Sequence, residues 1–202
     1  MIASLTGTLK SKAPTEVVVD VNGVGYVVSI PLSTFETLGS LNSTVTLLTH
    51  LHVREDALLL FGFSTDEERT CFRLLISVSG IGPKIAQGIL SSMSVNDLRI
   101  HIAAGNASAL TSIPGIGRKT AERLILELKE KMEKLAGSTH TLVGSTDAAE
   151  IRAEALAALV SLGYNRATAE SAIRKAVAAE QTAGLTLEQL IKFSLRLISS
   201  NA

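Results

Sequence analysis

Two short stretches have the residue types and spacing to hold an anion. They are Gly80-Ile81-Gly82-Pro83-Lys84 and Gly115-Ile116-Gly117-Arg118-Lys119. They recur at an interval of 35 residues, and each ends an apolar run and opens a helix-periodic one. Self-similarity of this kind predicts one structural unit used twice. Glycine reaches positive φ and lets another molecule approach the main chain closely. Successive N–H groups over such a turn form a concavity for an anion, and the dipole of a helix starting there adds to it. Ile81 and Ile116 are placed to point inward and hold each turn against its helices. Lys84 and Lys119, each four residues after the first glycine, are placed to reach forward to a phosphate.

Other residues offer less. Arg54-Glu55-Asp56 interrupts two strand-like runs and predicts a hairpin tip carrying two adjacent carboxylates; taken alone, this is an ordinary polar turn. His50 and His52 share one face of a strand by its two-residue period, but no cysteine or further histidine stands at ligand spacing, so no metal site is expected. A P-loop needs glycine before its Lys-Ser/Thr pair, and here Arg118 precedes Lys119-Thr120. Neither glycine turn completes G-x-G-x-x-G, and no nucleophile elbow or Ser/His/Asp arrangement is visible. The residues therefore predict no catalysis by this chain alone and no cofactor of its own.

Charge agrees with an anion-binding centre once the chain is divided. The formal net charge is zero. Residues 1–63 hold three basic and five acidic side chains, residues 64–135 hold ten and eight, and residues 136–202 hold six of each. From Ser79 to Arg123, five basic residues (Lys84, Arg99, Arg118, Lys119, Arg123) stand against two acidic ones (Asp97, Glu122). The positive charge thus sits on the segment that would meet phosphate. Hydrophobic residues make up 46% and aromatics only 3%, so aliphatic side chains must fill the cores. The single cysteine, Cys71, excludes an intramolecular disulfide and fits a reducing cytoplasm. No apolar run is long enough to span a membrane, and the first residues do not read as a signal peptide.

The elements that must position these residues follow from hydrophobic period. Residues 1–63 read as short strands: Val17–Val21, a turn at Asn22-Gly23, Tyr26–Ile30, Val45–Val53 and Ala57–Phe63. Their spacing predicts a small closed barrel of the OB type. From Ser64 the period becomes helical, with N-cap residues and acids in Ser64-Thr65-Asp66-Glu67-Glu68 and again at Ser94. The helix leaving the second turn carries Ala121, Leu124, Ile125, Leu128 and Met132 on one face, with Arg118 and Arg123 off that stripe. Residues 136–147 are small and polar and read as a flexible tether. Residues 148–202 predict three helices, with Gly163 ending the first, Asn165 capping the second, and Thr186 with Gln189 boxing the third.

The paired turns resemble the helix-hairpin-helix family, which grips nucleic-acid backbone without reading sequence. DNA repair enzymes such as glycosylases and nucleases also use these units. A glycosylase carries a catalytic acid shortly downstream, where this chain has only the acid-free stretch 136–145. An adaptor with purely structural hairpins is a third reading. Leu162-Gly163-Tyr164 after a helix resembles ubiquitin-associated three-helix bundles, which bind partners. Taken in order, barrel, double hairpin, tether and bundle, nearly the whole chain resembles the RuvA family of Holliday-junction-binding proteins. The most specific stretches are Val53-Arg54-Glu55-Asp56-Ala57 with Leu60-Phe61-Gly62-Phe63, the first glycine turn, and Pro114 to Leu124.

The resemblance implies a flat homotetramer, one or two per four-way junction, recruiting the hexameric AAA+ ATPase RuvB, with the resolvase RuvC as a further partner. The domains would be a tetramerising barrel over 1–63, a tandem helix-hairpin-helix DNA-binding domain over 64–135, the tether, and a motor-binding bundle over 148–202. It also implies that Gly80, Gly82, Gly115 and Gly117, with Lys84, Lys119 and Arg123, hold minor-groove phosphates. Arg118 stands where the family often has lysine, and Arg54 is a weaker contact. Glu55 and Asp56 become an acidic pin at the tetramer centre, replacing the polar-turn reading. Leu159, Leu162, Tyr164 and Leu195 fall at positions for the motor contact, with Leu159 equally suited to a core. ATP would be hydrolysed by the motor.

Overall fold

The computed structural model describes residues 1–136, 148–179 and 186–199. The chain divides into two compact units, residues 1–139 and 140–202. Apart from Ala136, the expected tether lies outside the described residues.

In the first unit β1 (Ser4–Ala13), β2 (Glu16–Val21), β3 (Val24–Ser29), β4 (Thr44–Val53) and β5 (Leu58–Phe63) close into a barrel in the order β1-β2-β3-β5-β4. This is the OB-type barrel that the strand spacing predicts. Alternate residues face inward: Leu5, Leu9, Val17, Val19, Val28 and Leu47 are buried. Asn22 and Gly23 both take positive φ, 52° and 90°, as a two-residue hairpin turn requires, and the Gly23 N–H donates to Asp20 Oδ1 at 2.7 Å. β1 is the strand that hydrophobic period does not reveal. Its sequence SLTGTLKSKA buries only Leu5 and Leu9, and its register shifts between Leu9 and Ser11. Pairing with β2 and β4, rather than propensity, makes it a strand. The short helix α1 (Leu32–Thr37) follows β3 and is likewise not marked in the sequence.

Five helices complete this unit: α2 (Asp66–Ile76), α3 (Pro83–Ser92), α4 (Val95–Ala103), α5 (Ala107–Thr111) and α6 (Arg118–Ala136). Thr65, Ser94 and Asn106 cap α2, α4 and α5 by accepting from N–H groups three residues on, each such cap being worth about 1 kcal/mol. One apolar core runs from the barrel into the helices. Phe61 and Phe63 of β5 lie 5.0 and 4.9 Å from the Phe72 ring of α2, and Leu75, Ile89, Leu98, Leu110 and Leu124 continue it.

Polar bonds reinforce that seam. The buried Glu68 carboxylate of α2 accepts from the hydroxyls of Ser33, Thr34 (2.9 Å) and Ser64 (3.0 Å) and from the Ser64 N–H (3.2 Å). Gln87 of α3 donates its amide to the carbonyls of Thr15 (3.0 Å) and Ile30 (2.6 Å) on the barrel side. The two helices that flank the first glycine turn are thereby each fixed to the barrel side.

The second unit contains α7 (Ala148–Ser161), α8 (Arg166–Ala179) and α9 (Leu187–Ser199) around Ala155, Leu159, Ala169, Ile173, Ala176 and Leu190. Gly163 turns the chain after α7 at φ 96°. Asn165 Oδ1 accepts from the Thr168 N–H at 2.8 Å. Thr186 and Gln189 exchange reciprocal bonds at 3.0 and 3.3 Å. Both are the caps that the sequence predicts.

Candidate nucleic-acid interface

The two glycine turns have the same local construction. In the first, Ile81 N–H donates to Val78 C=O at 3.0 Å and Ala86 N–H to Gly82 C=O at 3.0 Å. In the second, Ile116 N–H donates to Ile113 C=O at 3.1 Å and Ala121 N–H to Gly117 C=O at 2.9 Å. Gly80 and Gly115 stand at φ 93° and 89°, where a side chain is strained. Ile81 and Ile116 are buried, as their spacing predicts, and anchor each turn in the shared core.

This anchoring leaves the polar groups outward. Gly80, Gly115 and Gly117 are exposed and Gly82 is half-buried. Among the described residues, no acceptor takes the N–H of any of the four. Each turn leads directly into a helix N-terminus, at α3 and α6, with no acid in the first turn of either. Lys84 and Lys119, each the second residue of its helix, are exposed and form no ion pair or hydrogen bond among the described residues. Unpartnered amides, a helix N-terminus and a free ammonium group are what an anionic oxygen requires. The turns are also neighbours: a side chain at Gly115 would touch Ile85 at 3.6 Å.

The two arginines of the second hairpin, both on α6, are not equally free. Arg118 Nε pairs with Glu122 at 3.0 Å on the exposed face of α6. Arg123 crosses to the other turn and donates from Nη1 to the Ser79 carbonyl at 3.2 Å. Sequence reasoning places Arg123 off the apolar stripe but does not reveal its partner, which lies 44 residues away.

Arg54, Glu55 and Asp56 stand at the tip joining β4 to β5, closed by an Arg54 N–H to Ala57 C=O bond of 2.9 Å. All three are exposed, and Arg54 Nε pairs with Asp56 at 3.3 Å. At the base of this hairpin the His50 ring lies tilted at 5.5 Å from that of Phe72, and its pKa is lowered by burial and then by Arg73 and His52. His50 and His52 lie 6.4 Å apart, and among the described residues no group of three His, Cys, Asp or Glu converges to hold a metal. Burial, with Glu67 and Glu68 adding to it, pushes the Cys71 thiol up to about 12, which leaves it protonated and inert.

In the second unit Leu159 is fully buried among Ala155, Ala169 and Ile173. It is a core residue, which corrects its placement at a partner surface: a side chain with no exposed area offers none. Leu162 is 61% exposed, while Tyr164 and Leu195 are half-buried against the core. No helix among the described residues is long and apolar enough to cross a membrane.

Comparison with known proteins gives three consecutive family matches: "RuvA N terminal domain" over residues 1–62, "SAM-like Helix-hairpin-helix tandem" over 72–130 and "RuvA, C-terminal domain" over 150–199. A protein of Geobacter sp. strain M21 named Holliday junction branch migration complex subunit RuvA is 47% identical, covering 97% of this chain and all of that protein. The protein of that name from Geobacter sulfurreducens is 51% identical over 88% of each chain, and that from Methylibium petroleiphilum 48% identical over 89% of this chain and 92% of its own.

Proposed function

This chain belongs to the RuvA family, and on that premise we propose that it binds four-way DNA junctions as the scaffold subunit of a branch-migration complex. The observation that carries the reading is the pair of matching glycine turns, each presenting unpartnered amides and a free lysine beside a helix N-terminus. The amides of Gly80, Gly82, Gly115 and Gly117 hold backbone phosphates, with Lys84 and Lys119 as counter-charges. Arg118 contributes at the edge of the second turn. Arg54 contributes less, being shared with Asp56.

Such contacts carry no sequence information. The preference for a junction comes from geometry: a symmetric tetramer presents its turns to four duplex arms at once. Glu55 and Asp56 from each subunit meet at the crossover and keep phosphates and paired strands apart. Leu162, Tyr164 and Leu195 of the second unit meet the ATPase motor, RuvB by family analogy. The chain supplies grip, geometry and recruitment, and the motor supplies hydrolysis.

A gel-shift comparison of four-way, linear duplex and single-stranded DNA tests the reading. The expected result is preferred binding of the junction, a steep loss of affinity with salt, and no strand cleavage with Mg²⁺. Equal affinity for linear duplex would remove the junction claim. Cleavage would instead favour a helix-hairpin-helix repair enzyme.

A further inference from the structure

The two hairpin units are copies at a 35-residue offset, but they differ at several matching positions, one of which carries a bond between them. Lys84 matches Lys119, Ala86 matches Ala121 and Ile89 matches Leu124, whereas Arg123 falls opposite Gly88. The Arg123 side chain reaches the other hairpin: its Nη1 donates to the carbonyl of Ser79, the residue immediately before Gly80. The chain reverses at Gly80 with φ 93°, and this bond ties α6 to the first turn, whose following helix α3 carries Ile85, 3.6 Å from where a side chain at Gly115 would start. Gly88, by contrast, has nothing within 4 Å of where a side chain would start.

We propose that Arg123 is a positioning residue: its bond to the Ser79 carbonyl braces one phosphate-binding turn against the other and fixes their spacing, in place of a primary phosphate contact. Two turns held at a set distance engage two phosphates of one duplex as a single preorganised site. Two turns free to shift must be ordered during binding, which weakens affinity without removing a contact. The guanidinium suits the task because it keeps its charge and offers several donors in a rigid plane, of which the brace uses one.

The inference rests on the backbone-binding reading above, and its test separates the two. Phosphate contacts set the slope of log affinity against log salt, at about 0.9 per contact on duplex DNA. Arg123 is exposed on α6, and alanine suits a helix, so Arg123→Ala is expected to fold normally. Fluorescence anisotropy titrations of wild type, Arg123→Ala and Arg123→Gln with a labelled four-way junction at several salt concentrations read both quantities. The expected result for both variants is affinity lower by about three- to ten-fold with little change in slope and an unchanged melting temperature. Spin labels at Ser92→Cys on α3 and Lys129→Cys on α6, with Cys71 buried and unlabelled, should show a broader distance distribution when Arg123 is alanine. A slope reduced by about 0.9 would make Arg123 an ordinary phosphate ligand and overturn the brace. Unchanged affinity, or a distance distribution as narrow as wild type, would overturn it too. If the wild-type protein itself shows a flat salt response, the backbone-binding reading fails instead.

Discussion

Lys84 and Lys119 differ from the other cations near the turns in having no partner among the described residues, whereas Arg118 is held by Glu122 and Arg123 by Ser79. Their charge is therefore available without first breaking a bond. Replacing either lysine by alanine should lower the salt slope by about 0.9 and weaken binding alike across junctions of different sequence. Anisotropy titrations on two or more unrelated sequences measure both effects, and a loss confined to one sequence would contradict backbone grip. These lysines were legible because their role is local: a position relative to a glycine turn and a helix start. The Arg123 bond was not, because it depends on how α6 is set against a turn whose Ser79 lies 44 residues earlier. Leu159 shows the same limit. Its helical period marks one apolar face, but only packing decides that Leu159 faces inward while Leu162, three residues on, is 61% exposed.

Among the elements, α2 joins the barrel to the hairpins. Its start was readable from Thr65 and the acids that follow, yet Glu68 appears in sequence only as a first-turn acid. In the fold it gathers donors from Ser33, Thr34 and Ser64, residues of α1 and of the β5–α2 connection. Such a network is invisible to hydrophobic period because its members share no spacing. Glu68→Ala leaves those donors without their acceptor at a buried site, and should cost about 1–3 kcal/mol of stability. Thermal unfolding followed by circular dichroism checks this; a melting temperature equal to wild type would show the network to be idle. β1 and α1 escaped the sequence for a related reason: one buries two leucines in ten residues and the other is a single short turn with no side-chain cap.

At the scale of the whole molecule, the hairpin tip between β4 and β5 gains importance only through symmetry. One exposed carboxylate pair exerts little force in water. In the proposed tetramer, two carboxylates from each of four subunits converge, and like charges worth about 1 kcal/mol per close pair in water are worth several at lower effective dielectric. Glu55→Gln with Asp56→Asn should leave junction affinity equal or higher and alter motor-driven branch migration. Gel shifts and a strand-exchange assay measure the two, and weaker junction binding would make these residues supports of the fold instead. Because Arg54 already pairs with Asp56 at 3.3 Å, Glu55→Gln alone should have the larger effect of the two single changes.

The barrel closes by pairing β1 with β4, so that Ser4 lies opposite Leu48 and Thr8 opposite Thr44. One edge of the opening strand finds β2 nearby, but its other edge must wait for partners some forty residues later in synthesis. Loop-closure entropy makes such distant pairing slow, while helices built from near neighbours form early. Barrel closure is thus the expected slow step in folding of the first unit, and α2, which leads into the first glycine turn, docks against the β4 and β5 strands that take part in it.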